Sequence, residues 1–394
     1  MNWKRSLIVI VSLLSIAGAI KIVQACGGEI DPYDEYTSFF MNDINKDPAF
    51  IPFYFTSLLN YYGDWYDYKK SYPDEVPDPN EQAWYEYANS SVLRSDVDSF
   101  VYRYSQKSVE NIYQHLSKNE PLHIDKEEEQ NTFTQWLITH KDVEASRYLS
   151  YAKRCEPNVL GETDYYDDNA HSWKTKKRDS IVMLSQLQEG IQLYSNCKQV
   201  SIQLRYAFQI LRLSFYNNDH ARTIKLYDSL MTEMPHNYMY YRCLSLKAGA
   251  LYKTGKKPEA AYLYSLVFDA SDEMKTTVYT SFKWAVSGEI EPILNLCKND
   301  HEKAVLYLMK GLYDYGGEDS KLGIESLEHA YTLDKKVKGL DIIMTREINR
   351  LEKIYMENIA YRKCPVPSSF QYPVISNRDS FERVMTANNI PYLK

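Results

Sequence analysis

The chain has 394 residues, with 46 Lys and Arg against 53 Asp and Glu, a formal net charge of −7. Apolar residues at 44% and charged residues at 25% exclude a mainly disordered chain, which is poorer in apolar residues and more heavily charged. With 14 Gly and 15 Pro it also lacks the turn residues that a β-sandwich or barrel needs roughly every 8–12 residues.

At the N-terminus, Lys4 and Arg5 precede an almost unbroken apolar run from Leu7 to Ile20. That is the charged and apolar layout of a secretory signal, and residues 1–25 are assigned to it. Val23 and Ala25 then precede Cys26, a pattern that resembles a bacterial lipobox, whose Cys is acylated and becomes the first residue of the mature protein. An ordinary cleavage site after Ala25 is the alternative. The acids Glu29, Asp31, Asp34 and Glu35 behind Cys26 look like the export tag of some Bacteroidota surface lipoproteins, or are a solvated linker. Loss of residues 1–25 removes three positive charges and no acid, taking the net charge from −7 to −10. The expected location is the outer membrane or cell surface, otherwise the periplasm or the medium. The only membrane contact expected is a lipid on Cys26.

Residues 26–126 form an aromatic-rich helical region. Tyr is the compositional outlier, 36 against 13 Phe and 6 Trp. Tyr61, Tyr62, Trp65 and Tyr66 cluster there as a candidate ligand platform. Pro73, Pro77 and Pro79 punctuate a loop, and one helix is expected from Asn80, as its cap, to about His115.

From 127 to 336 apolar residues recur at helical spacing, with breaks at 217–219, 254–256 and 315–317. An acidic, aromatic insertion from Gly161 to Asn169 reads as a solvated loop. Leu244, Ala248 and Leu251 line one helix, Thr254 and Gly255 close it, and Ala260 and Tyr264 mark the next. Thirty-seven residues earlier, Ala207, Ile210 and Leu211 are followed by the Asn217–Asp219 turn, Thr223, Tyr227 and Pro235. Ala145 and Gly323 hold the same small position in an earlier and a later unit. Helices at Ile181–Tyr194 and Thr276–Cys297 are expected to fill the gaps. This recurrence resembles the tetratricopeptide repeat (TPR), in which a small residue lets two helices approach and an aromatic fills their groove. The resemblance implies an all-α fold: a right-handed α-solenoid of degenerate TPR-like helix pairs, preceded by the aromatic region. Residues 337–363 read as a long capping helix with an apolar stripe that includes Leu340, Ile343 and Met344, and residues 364–394 as a Pro-punctuated tail.

No phosphate-binding Gly loop, hydrolase elbow or zinc-protease His pair occurs. No catalytic residue, metal or cofactor is therefore expected, and most of the six widely spaced cysteines read as small buried residues. The acidic balance argues against nucleic acid as a partner, since phosphate binding needs a basic face. Two readings of function stay open. One is a non-catalytic envelope scaffold that docks a protein or peptide on a concave repeat surface. The other is glycan capture by exposed Tyr and Trp side chains, as in the glycan-binding lipoproteins of the starch-utilisation class that such a chain looks like.

Overall fold

The computed structural model describes residues 48–53, 78–159, 163–167, 172–176, 178–286, 289–313, 321–345 and 347–348. The expected signal, Cys26, the Tyr61–Tyr66 cluster and the tail from 364 lie outside the described residues. Two compact units emerge. The larger holds residues 74–313 and 329–338, and the smaller holds 1–73, 314–328 and 339–394.

In the larger unit the chain runs through α1 (Pro79–Tyr87), α2 (Arg94–Asp98), a π-helical turn (Ser99–Arg103) and α3 (Gln106–Lys118). After these come α4 (Lys126–Gln130), α5 (Thr132–Thr139) and α6 (Val143–Val159). The expected single helix from Asn80 to His115 is thus three helices and a π turn. Asn89 and Ser90 both take positive φ, and Leu93 is extended, so helical hydrogen bonding cannot pass through them. Asn80 is not the cap either. Asp78 accepts the Asn80 and Glu81 amides at 2.9 and 2.8 Å, and Pro79 occupies the first turn, where a missing N–H costs nothing.

Two strands follow, β1 (Thr163–Asp167) and β2 (Ser172–Lys176), paired antiparallel from Thr163–Lys176 to Asp167–Ser172. The expected loop is therefore a two-stranded hairpin. Its sequence, with Tyr165, Tyr166, Trp173 and Thr175, is rich in residues that suit a pleated ribbon.

Then come α7 (Ser180–Asn196), α8 (Val200–Tyr216), α9 (His220–Leu230), α10 (Tyr238–Lys253) and α11 (Lys257–Ala270). They are followed by α12 (Lys275–Ala285), α13 (Glu291–Leu294) and α14 (Asp300–Tyr313). The helix expected over Thr276–Cys297 is interrupted: Val286 is extended, and Pro292 belongs to the first turn of α13. Asp179, Asp219 and Asn237 cap α7, α9 and α10 through their side chains. Asn218 and Gly255 adopt positive φ in the turns after α8 and α10, which confines each break to three residues.

Neighbouring helices pack in pairs. Helix α8 is the hub, touching α6, α7, α9 and α10; α10 packs on α9 and α11, and α11 on α12 and α14. So α6, α8 and α10 lie side by side, with α9 packed against both α8 and α10, an arrangement compatible with a helical repeat solenoid. Apolar residues on nearly every side of α8, from Ile202 to Leu213, are the signature of a helix buried all round.

Of the smaller unit, a 3-10 turn at Pro48–Phe53, the first part of α15 (Lys321–Leu333) and helical residues 340–345 are described. Ile342 and Ile343 are buried there and Met344 is half-exposed, so the apolar stripe is rotated from the one expected. The rest of the expected helix to 363 lies outside the described residues, apart from 347–348.

One close approach fixes the spacing of α6, α7 and α8. Tyr151 of α6 is fully buried, and its hydroxyl donates to the Gln186 carbonyl of α7 at 2.8 Å. It lies where a Cβ on Gly190 would sit, and Ile210 of α8 is 3.0 Å from the same point. Gly190→Ala should therefore destabilise the protein by about 1–3 kcal/mol through overpacking. The penalty should be distinctly smaller in a Tyr151→Phe background, which removes the clashing oxygen. Denaturant unfolding of the four proteins in this cycle measures both effects; an unchanged penalty would refute the contact.

Candidate binding pocket

A concavity of about 420 Å³ opens in the larger unit where α6, α8 and α10 meet the N-terminal helices. Helix α8 presents Arg205, Phe208, Gln209 and Arg212 at i, i+3, i+4 and i+7, a single face. The last three line the cavity. From α10 come Tyr238, Met239 and Arg242, and from α6 Tyr148, Ala152, Lys153 and Glu156. Asp78, Asn80 and Trp84 of the α1 region and Tyr102 of the π turn complete the wall.

The N-terminal helices are locked to α8 through Arg205. Its guanidinium is buried, lies 4.0 Å from the Trp84 ring centroid and donates to Asn80 Oδ1 at 2.7 Å. Burial holds its pKa below the ordinary arginine value. Tyr87 adds a second lock, its hydroxyl lying 2.6 Å from both Asp142 Oδ2 and Gln199 Oε1. Trp84 also meets Tyr148 at 5.9 Å, and Tyr148 meets Tyr206 edge-on at 5.1 Å, so the cavity floor is a packed aromatic layer.

The charges on the wall are unequally matched. Asp78 caps α1 and also accepts the Tyr102 hydroxyl at 2.6 Å. Glu156 pairs with Lys153 at 3.1 Å. Arg212 and Arg242 form no ion pair among the described residues; their guanidinium carbons lie 5.8 and 4.4 Å from the Phe208 ring centroid. Burial, then the neighbouring Arg242 charge, lowers the Arg212 pKa, and the pull of Glu156 is the weakest of the influences on it. Gln209 is buried, and its Oε1 has no hydrogen-bond partner among the described residues.

Of the residues singled out from the sequence, Ala145, Thr223, Tyr227, Ala260, Tyr264 and Gly323 are all buried in helices, and none lines the pocket. Pro235 is exposed between α9 and α10. Thr223 and Ala260 share helix faces with Tyr227 and Tyr264, one turn apart. In the smaller unit a Cβ on Gly323 would meet the Glu347 carboxylate. Ala207, Ile210 and Leu211, the α8 positions that carry the repeat pattern, are buried and lie off the pocket, whose lining comes from other positions of the same helix. The signal is the complementary stripe, Arg205, Gln209 and Arg212, three long polar side chains on one face of a helix rich in apolar residues.

Cys155, Cys197, Cys243 and Cys297 are free thiols, each raised in pKa mainly by burial, Cys155 to about 12. Among the described residues no cluster of three or more His, Cys, Asp or Glu side chains could hold a metal, and no helix is long and apolar enough to cross a membrane. No protein-family model matches this chain, and no curated protein or solved structure is significantly similar to it.

A second polar cluster ties α11, α14 and the chain after α15 together. His301 Nε2 lies 2.9 Å from Asp269, and its Nδ1 lies 2.6 Å from Asp334. Both ring nitrogens can donate only when the imidazole is protonated. The Asp334 bond, then the Asp269 bond, raises the His301 pKa, while His301 lowers that of Asp334. The histidine contribution is therefore complete below its unfolded pKa of about 6.5 and lost as pH rises through its raised folded value. The Asp334 contribution is present above the ordinary carboxylate pKa of about 4 and lost on acidification. Thermal melts should thus show an advantage for wild type over His301→Gln that is greatest between about pH 4 and 6.5. Being exposed, the cluster should contribute only about 1–3 °C, and an equal advantage at pH 9 would refute the assignment.

Proposed function

We propose that this chain is a non-catalytic binding protein of the cell envelope, a right-handed solenoid of degenerate TPR-like helix pairs that docks a protein or peptide partner. The observation that carries the reading is the concavity walled by three side-by-side helices, α6, α8 and α10, and narrowed by the chain's own N-terminal helices. A cleft of this kind offers several independent helices to one bound segment, as repeat proteins do. A photo-cross-linking residue in place of Tyr102, at the exposed rim, should trap one protein in the native envelope. Phe208→Ala should abolish that product. Trapping of no protein, with retention on an immobilised polysaccharide that Trp65→Ala removes, would replace the reading with glycan capture.

The proposal extends to location. Residues 1–25 direct export, and an acyl chain on Cys26 tethers the protein to the membrane surface. Cells grown with an alkyne fatty acid should label the wild-type chain and not Cys26→Ser, which should move to the soluble fraction. Unlabelled wild-type protein would mean an ordinary cleaved secretory signal.

A further inference from the structure

The charge balance of the pocket identifies the chemistry of what it binds. Its two carboxylates are already engaged, Asp78 by the amides at the start of α1 and the Tyr102 hydroxyl, Glu156 by Lys153. What remains is cationic: Arg212 and Arg242, which line the same pocket with their guanidinium carbons 5.8 and 4.4 Å from one ring, that of Phe208, and form no ion pair among the described residues. Two like charges held together and partly stripped of water are unfavourable until an anion joins them. Planar guanidinium edges suit the two oxygens of a carboxylate. In the same pocket the buried Gln209 Oε1, with no partner among the described residues, calls for an N–H or O–H donor from the bound molecule.

The aromatic rings narrow the choice. The Trp84 ring has the Arg205 guanidinium against it, and the Phe208 ring has that of Arg242 at 4.4 Å. Trp84 is in any case 1% exposed, Phe100 1% and Phe208 6%. None of the three offers a free face on which a sugar ring can stack, and the exposed Tyr102 at the rim has its hydroxyl held by Asp78 and Asn80. The open edges of the pocket are guanidinium, amide and phenol, which suit a polypeptide carboxylate with an adjacent backbone N–H.

We propose that Arg212 and Arg242 receive the side-chain carboxylate of an acidic peptide segment, with Gln209 Oε1 accepting a backbone N–H beside it. This rests on the docking reading above. The test is selection from a random peptide library displayed on phage against the purified full-length chain, with Arg212→Gln, Arg242→Gln and the corresponding Lys variants in parallel. Selected peptides should carry Asp or Glu at one recurring position. Its replacement by the corresponding amide should weaken binding about tenfold. Each Gln variant should erase that difference, and each Lys variant, which keeps the charge, should retain part of it. Thermal melts of every variant separate loss of recognition from loss of fold. Selected peptides without a recurring acid, bound equally by the Gln variants, would overturn the anionic recognition and leave peptide docking standing. No selected peptide at all, together with arginine-dependent binding of tetragalacturonate, would overturn both in favour of an acidic glycan.

Discussion

The larger unit depends on a charge kept out of water. Arg205 sits in the middle of the most enclosed helix, between the Trp84 ring and the Asn80 side chain, with burial weighing against its charged form. A buried guanidinium with no carboxylate is tolerable only where an aromatic face and directed hydrogen-bond acceptors replace its hydration. Both Trp84 and Asn80 lie on α1, so that helix must sit against α8 for Arg205 to be satisfied. The same contact places Asp78 and Tyr102 at the pocket rim. A polar requirement in the core therefore determines where the N-terminal helices end up and how much of the α6–α8–α10 face they leave open.

Small residues perform the complementary task. Gly190 admits the Tyr151 ring and hydroxyl, and Gly249 of α10 leaves room for Phe215 of α8 at 3.0 Å from its missing Cβ. In each case a large aromatic side chain fills space that any other residue on the facing helix would occupy. Close packing at these points leaves little freedom in the helix spacing, so the cavity between α6, α8 and α10 has definite walls. A binding site benefits from such rigidity, because less order has to be imposed when a ligand arrives.

Much of the helical organisation was legible in the chain. The breaks after α8 and α10 are visible as Asn217–Asp219 and as Thr254, Gly255 and Lys256, because positive φ is tolerated best by Gly and Asn. The interruptions of α1–α3 were harder to see. Asn89 and Ser90 at positive φ carry little sequence signal, and the capping side chain is Asp78, two residues before Asn80, which is of an equally suitable type. Asn80 instead hydrogen-bonds Arg205, 125 residues away, a contact no local pattern can announce. The β1–β2 hairpin was obscured by its acids, which read as solvated loop although its aromatic and Thr residues suit a strand.

By itself the sequence determined that the chain is helical, where several of its helices stop, and which small and aromatic positions recur along it. Those properties follow from local backbone preferences and from the periodicity of apolar residues, both of which act over a few residues. Only the tertiary structure decided that Arg212 and Arg242, 30 residues apart on two helices, would line one pocket with no ion pair among the described residues while Asp78 and Glu156 bond to other partners. Charge compensation depends on distance and burial in three dimensions, and the 53 acids of the chain give no sign of which cations they will leave unmatched.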